Sequence, residues 1–480
     1  MEMIFSFDTE DYVDPISNDA LLRLAQMHTK HEVPACFGLV GEKARFIHFC
    51  GRDDVVEALK DHEVAYHSDH HWILPDDDYD PTHIPLYINE TDWDSAMKRI
   101  LVEESRGLAD IADIFGERPV TQLRNYGDWT PQVMAAHARL GLGVHAYGPV
   151  FHNTDPEPIW YCNQLQIANP RHMYENCLHD MDLTPQEKLD KHIADVQKHL
   201  DEGTHRLGWV NHPTRFIADA WWEMPNWWGK MDDPPRRDWT WPERFDQDTI
   251  EQLLWIADGL LEWVSASSEI EFRTFREFYA QHMPTRVWVT DEEARGLAKR
   301  VGDRPAMVTH ANETYSPAEL FGIFAHTLGA PEGDEHDKAD EMHPLRRILG
   351  PTEEPVEHPG GSVSRTAMLD ACREVELFIR DQARVPAAIE VGGEQVGPGQ
   401  FLVAMANVLC DGAQDTIALP ETDNLPEEYA EGHYEAIEND GWPLGYIQYQ
   451  DDKSALGDFG AIRQHAKWQY WTFKTAKKTR

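Results

Sequence analysis

Positive charge is what this chain has least of relative to its size: 43 Lys and Arg stand against 85 Asp and Glu, a formal net charge of −42 over 480 residues. A surface that acidic repels phosphate backbones and anionic headgroups, so no nucleic-acid partner and no membrane partner is expected. The one terminal basic run, Lys474 to Arg480, is too short to change this. The acid excess fits a solvated surface, a high-salt environment or attraction of cations. Paired cysteines are also missing: Cys36, Cys50, Cys162, Cys177, Cys372 and Cys410 lie far apart with no Cys-x-x-Cys, which excludes a zinc ribbon and a disulfide scaffold. No window approaches 18 uninterrupted apolar residues, so no membrane span is expected. The opening Met1-Glu2-Met3-Ile4-Phe5-Ser6-Phe7 has neither a basic stretch nor a small-residue cleavage site, and the expected compartment is the cytoplasm.

What is present is core material. Hydrophobic residues make up 41% of the chain, with 17 Trp, 15 Tyr and 18 Phe, which excludes a disordered polypeptide and suits one large domain with smaller companions. From residue 1 to about 284, short apolar runs (Met3–Phe7, Ala35–Val40, Glu63–Tyr66, Val120–Leu123, Gly143–Tyr147, Leu207–Val210) read as strands. The amphipathic stretches between them (Asp19–His31, Arg52–His62, Asp94–Phe115, Pro131–Gly141, Pro185–Glu202) read as helices. The last is introduced by Thr184 and Pro185, with Glu187 in capping-box position. Ile270–Phe275 reads as one more strand. This alternation predicts an α/β fold with a parallel sheet, closing into a (β/α) barrel whose catalytic groups sit at strand C-terminal ends.

Beyond residue 284 the chain repeats itself with a shift of 81 residues. Pro305-Ala306-Met307-Val308 matches Pro386-Ala387-Ala388-Ile389, Glu313 matches Glu394, and Ser316 to Phe321 matches Gly397 to Leu402. Ser316 and Glu319 form a second capping box. Two copies of a mainly helical module are expected, over 285–355 and 356–480, joined by a Pro-, Gly- and acid-rich stretch from Gly329 to Gly361.

Four features of the first region carry chemistry. Asp8-Thr9-Glu10-Asp11 crowds three carboxylates at the end of an apolar strand, an arrangement stabilised when a cation neutralises it. His67-Ser68-Asp69-His70-His71 follows another strand; on a helical turn, His67 and His71 would share one face within reach of one ion. Arg124-Asn125-Tyr126-Gly127 is a turn whose guanidinium could hold a carboxylate ionised. His212, directly after Leu207–Val210, suits proton transfer near neutral pH. Downstream, Arg215, Trp221, Trp222, Trp227, Trp228, Trp239 and Trp241 crowd one loop, with Arg236 and Arg237. Aromatic faces there would either stack on sugar rings or pack the loop down.

Taken in chain order, these motifs resemble the polysaccharide deacetylase family, the NodB-homology or carbohydrate esterase family four group, over about residues 1–284. The resemblance implies a distorted (β/α) barrel of that type with Asp8 as general base, His67 and His71 as metal ligands, Arg124 orienting the base and His212 as general acid. Thr9 stands where the family has its third ligand. Glu10 is therefore favoured, because alternate residues of an extended segment share a face, with Asp11 as the alternative. Tyr126 would help hold the oxyanion, while Trp221, Trp222 and Arg215 would meet substrate. The implied reaction is removal of N-acetyl groups from an amino-sugar glycan or glycan precursor with a divalent metal, zinc first, with cobalt, nickel or iron also accepted by such ligands. Two departures stand out: the third motif lacks its usual proline, and Asp155 is a poor counterpart of the fourth motif's Asp. Rival readings are an amidohydrolase acting on a small-molecule amide and a catalytically inactive glycan-binding protein. The C-terminal copies, with Arg384-Val385-Pro386, Val391-Gly392-Gly393-Glu394 and Phe401-Leu402, faintly resemble pseudomurein-binding-type repeats. A lid, or a homo-oligomer formed through them, is an equal expectation.

Overall fold

The computed structural model describes residues 1–71, 92–123, 130–146, 157–167, 171–173, 178–180, 182–226, 236–284, 288–329, 342–344, 347–411, 414–439 and 459–477. Contacts divide the chain into two units. The first comprises Met1–Pro156, Gln166–Ala280 and Gly441–Asp458; the second comprises Glu157–Leu165, Gln281–Asp440 and Phe459–Arg480.

The first unit alternates strand and helix. It begins β1 (Glu2–Thr9), α1 (Ser17–Lys30), β2 (Ala35–Leu39), α2 (Gly41–Phe49), α3 (Asp53–Leu59), β3 (Glu63–Tyr66), α4 (Trp93–Phe115), β4 (Thr121–Leu123), α5 (Pro131–Arg139) and β5 (Val144–Ala146). It continues with β6 (Arg171–Met173), α6 (Pro185–Asp201), β7 (Arg206–Asn211), α7 (Gln247–Ser265) and β8 (Glu271–Phe272). The strands run parallel in the order β5-β4-β3-β2-β1-β7-β6. Thr9 pairs with Leu39, Leu39 with Tyr66, and Tyr66 with Gln122, so the ends of β1, β2 and β3 arrive level. The expected strands are all present, within two residues at the described ends, except the last, of which only Glu271–Phe272 forms. The helix α2 was not foreseen, because its nine residues carry little amphipathic contrast.

The closed barrel is not formed among the described strands, since β6 has a single neighbour. The reason lies in β8. Only two residues of the expected Ile270–Phe275 strand pair, and they lie along the start of β1 (Glu2 with Glu271, Met3 with Phe272) on the edge that β2 takes up from Phe5 onward. The last strand therefore shares an existing edge instead of bridging the two ends.

β1 is buried over its whole length. Phe5 and Phe7 project into the main core with Leu21, Leu24 and Phe37, where Phe7 stacks on Phe37 at 4.9 Å between centroids. Period-two geometry sends Ser6 and Asp8 to the opposite face. α6 opens with the expected capping box, Thr184 with Glu187, and Pro185 in its first turn. α5 is capped by the Thr130 hydroxyl with Pro131 following.

In the second unit the 81-residue spacing reappears as structure. The hairpin Val308–His310/Glu313–Tyr315 and helix Pro317–Gly329 recur as Ile389–Val391/Glu394–Val396 and Pro398–Asp411. Both hairpins turn through two left-handed residues, Ala311 and Asn312 (φ 49° and 68°) and Gly392 and Gly393 (φ 63° and 93°), which match under the same shift. Each copy is thus a hairpin leading into a helix, with more strand than the mainly helical expectation. Residues 330–341, 345 and 346 of the expected joining stretch, and Cys177, lie outside the described residues; Met342–Pro344 pairs with Trp288–Thr290.

Two core histidines set the acid limit of the first unit. His28 is wedged edge-on against Phe5 and Phe7 with Nδ1 on the Val33 carbonyl, and burial lowers its pKa to about 3. Burial likewise lowers that of His137, which shares the side-chain oxygen of Gln122, to about 3. Each group takes up its proton near pH 6.5 in the unfolded chain but only near pH 3 when folded. Protonation therefore favours unfolding between those values, and stability should fall with decreasing pH by about 1.4 kcal/mol per unit for each histidine. Urea titrations between pH 6 and pH 5 should show stability falling with this sense, less steeply in a His28→Gln variant.

Candidate metal centre

The level ends of β1 and β3 bring the expected ligands together. Glu10 sits one residue past β1, and its Oε2 lies 3.3 Å from His67 Nε2 and 2.9 Å from His71 Nε2. Ligand atoms of Glu10, His67 and His71 all fall within 4.8 Å of one another, and all three side chains are buried. His67 Nδ1 meets the carbonyl of Leu123 at 3.1 Å. With Nδ1 protonated and donating to that carbonyl, Nε2 carries the lone pair and faces Glu10, the orientation a ligating imidazole needs. Burial lowers the pKa of His71 against the pull of Glu10, which favours the neutral, ligating form. Burial would raise that of Glu10, but His71 and His67 outweigh it and hold the carboxyl well below its usual range. One anionic oxygen and two neutral nitrogens in a dry pocket are a donor set for a borderline divalent cation.

The histidines do not share a helical turn as the spacing suggested. Ser68 and His71 both have left-handed backbones (φ 76° and 57°), so the segment doubles back to bring the two rings within 5.9 Å. That conformation costs energy for residues other than glycine and is held from outside. The N-terminus of α2 lacks a side-chain cap; instead the Gly41 and Glu42 N–H groups donate to the carbonyls of Ser68 and Asp69 at 2.9 and 2.7 Å. Asp69 pairs with Arg45 at 2.7 Å, and its own N–H donates to Glu104 at 3.1 Å; Glu104 also accepts from the Tyr66 hydroxyl. Gly107 is required for this approach, because a Cβ there would lie 2.9 Å from the Asp69 Cα.

Asp11, the alternative ligand, is turned away. One carboxylate oxygen accepts the N–H groups of Val13 and Asp14 at 2.9 Å, and the other accepts the Thr214 hydroxyl at 3.0 Å. Asp14 is clamped by Arg244 at 2.6 Å, and the buried Lys43 donates to Ser17 at 2.6 Å. Burial lowers the pKa of Lys43 to about 8 despite Asp11 and Asp14. Nothing in the sequence pointed to Lys43 or Arg244, which reach this cluster from a short helix and a distant loop.

Asp8 and His212 flank the triad. His212 Nε2 lies 3.5 Å from Asp8 Oδ2 and 3.7 Å from Glu10 Oε1, with all three residues buried. The rings of Trp221 and His212 meet edge to face at a centroid distance of 4.5 Å. Arg124 and Tyr126 lie outside the described residues, as do Trp227, Trp228 and Asp155.

The aromatic loop divides by role. Trp222, expected to meet substrate, is fully buried: its N–H donates to Glu10 Oε1 at 3.1 Å, and its ring packs on Tyr12. It thus supports the ligand set and presents no face to a sugar. Trp221 is only partly buried, and the Arg215 guanidinium lies over its ring at 5.2 Å while bonding the Asp219 carbonyl, so Arg215 is engaged within its own loop. Trp241 is 49% exposed. Glu223, which the sequence reading passed over, follows Trp222 and is buried; its pKa is pushed up to about 8 by burial and by the neighbouring Glu10.

No family model matches this chain, its C-terminal repeats included, and no curated protein matches it. Solved structures that it resembles include a candidate polysaccharide deacetylase from Mycobacterium smegmatis, at 15% identity over 58% of this chain and 88% of the other, TM-score 0.35. Another is a family 4 acetyl xylan esterase from Clostridium thermocellum in complex with cobalt, at 14% identity over 58% and 91%, TM-score 0.31. A third is an allantoinase, at 12% over 59% and 92%, TM-score 0.36. Among the described residues no helix is long and apolar enough to cross a membrane.

The geometry separates the two acidic neighbours experimentally. Glu10→Gln or His71→Ala should abolish stoichiometric binding of a divalent ion, measured by elemental analysis after zinc or cobalt reconstitution. Asp11→Asn should keep the ion while lowering stability by about 1–3 kcal/mol, the cost of weakening a buried hydrogen-bonded carboxylate.

Proposed function

We propose that this chain is a metal-dependent N-deacetylase acting on an amino-sugar-containing glycan or glycan precursor. The observation that carries the reading is the buried Glu10, His67, His71 group with Asp8 and His212 against it at strand C-terminal ends. A divalent ion held there would supply Lewis acidity to a water and to the amide carbonyl. Asp8, beside the ligands without belonging to the triad, is the base that takes the water's proton. Its burial limits competing solvation, so the proton is accepted by a group already in place. His212, 3.5 Å from Asp8, delivers a proton to the departing amine nitrogen as the C–N bond breaks. Trp221 against the His212 ring fixes the orientation of that imidazole. Arg124 and Tyr126 complete the proposed set as the partner of the base and an oxyanion donor. Zinc is the first choice of metal, with cobalt, nickel or iron as substitutes.

The metal-loaded protein should release acetate from N-acetyl chitooligosaccharides. Asp8→Asn should lower kcat by at least about 100-fold while retaining the ion, since general-base catalysis contributes on that order. Metal without acetate release from any acetylated glycan would overturn the deacetylase reading; undiminished glycan affinity in Asp8→Asn would then favour a binding protein.

A further inference from the structure

Trp222 reaches the candidate metal centre from a loop 212 residues along the chain from Glu10. Its indole is fully buried in an apolar cluster with Tyr12 and Val40, and its N–H donates to Glu10 Oε1 at 3.1 Å. The other oxygen of the same carboxylate, Oε2, lies 2.9 Å from His71 Nε2 and 3.3 Å from His67 Nε2. The two oxygens of Glu10 thus face different groups. The indole is itself held in place: it packs on Tyr12 at 4.9 Å between centroids and meets the His71 ring edge to face at 5.9 Å. The Tyr12 hydroxyl in turn donates to the His70 carbonyl at 3.3 Å, so the ring is tied to the turn that carries the histidines. An indole seated this firmly, with a single donor, has little freedom to release Oε1.

We infer that Trp222 is a positioning residue that reserves Oε1 of Glu10 for its indole N–H, so that Glu10 ligates a divalent ion through Oε2 alone. A carboxylate can hold an ion through one oxygen or through both, and the second mode fills a position that water or substrate would otherwise take. Two imidazole nitrogens and one carboxylate oxygen leave a tetrahedral ion with an open position, as a catalytic site requires. Hydrogen bonds to ligands from outside the ion's own shell tune both affinity and geometry. The inference rests on the metal-binding part of the proposed function and is independent of the substrate.

The test removes the donor while keeping an aromatic ring. Trp222→Phe and Trp222→3-benzothienylalanine, in which sulfur replaces the N–H of an otherwise isosteric ring, are compared with wild type. Zinc affinity is measured by competition with a chromophoric chelator. Coordination is read from the visible spectrum of the cobalt-loaded protein, whose bands weaken as the coordination number rises. Both variants should bind zinc about 10- to 100-fold more weakly, the usual effect of losing a hydrogen bond to a ligand. Their cobalt bands should fall in intensity as the second Glu10 oxygen joins the ion. Wild-type zinc affinity or a wild-type cobalt spectrum in the benzothienyl variant would overturn the inference and leave the indole as packing, whatever the phenylalanine variant does, failure to fold included. A wild-type protein that binds neither zinc nor cobalt would overturn the inference together with the metal-dependent reading. Bound metal without acetate release from N-acetyl chitooligosaccharides would overturn the deacetylase reading alone.

Discussion

The central constraint is a buried carboxylate. Glu10 stays ionised in a pocket that water barely reaches because two imidazole nitrogens lie within 3.3 Å of one of its oxygens and an indole N–H within 3.1 Å of the other. Removing a charge from water costs several kcal/mol unless partners replace the lost solvation. The surrounding fold is arranged to supply those partners. The level ends of β1 and β3 bring Glu10 to His67, the Leu123 carbonyl sets the ring of His67, and the aromatic loop contributes Trp222.

The same constraint sorts the neighbouring acids. Asp8, Glu10, Asp11 and Asp14 could not share one dry cavity as equals, because like charges at that spacing repel and push each other toward the neutral form. The structure gives each a different set of partners: Asp8 faces His212, Glu10 faces the paired histidines, Asp11 caps its own turn, and Asp14 is clamped by Arg244. A cluster that reads as uniform in sequence is thereby divided into a carboxylate facing His212, one facing the paired histidines, one held by its own turn and Thr214, and one held by Arg244. Lys43, buried behind them, is the cation that makes the last two tolerable.

Strain in the segment from His67 to His71 is carried by its surroundings. Two left-handed non-glycine residues, Ser68 and His71, bring the rings together, and the uncapped N-terminus of α2 gains hydrogen bonds by holding the turn in that shape. Helix capping and the positioning of the two imidazoles are therefore one interaction. Glu104, from the middle of α4, fastens the same turn through the Asp69 N–H.

The sequence by itself determined the strand and helix alternation of the first unit, the register of the 81-residue repeat, and the residues at the strand ends. Those features depend on local periodicity and on capping and turn residues, which are properties of neighbours in the chain. It also favoured Glu10 over Asp11 through the two-residue alternation of an extended segment, the face on which the structure places it. Tertiary structure alone decided that the described sheet stays open, since this depended on where two residues of the last strand found an edge. It alone decided that His67 and His71 meet through a doubled-back turn, because the support comes from α2 and α4, 24 or more residues away along the chain. It alone turned Trp222 inward to Glu10. A side chain's direction in an irregular loop is set by the packing around it, and the order of residues along the chain does not encode that packing locally.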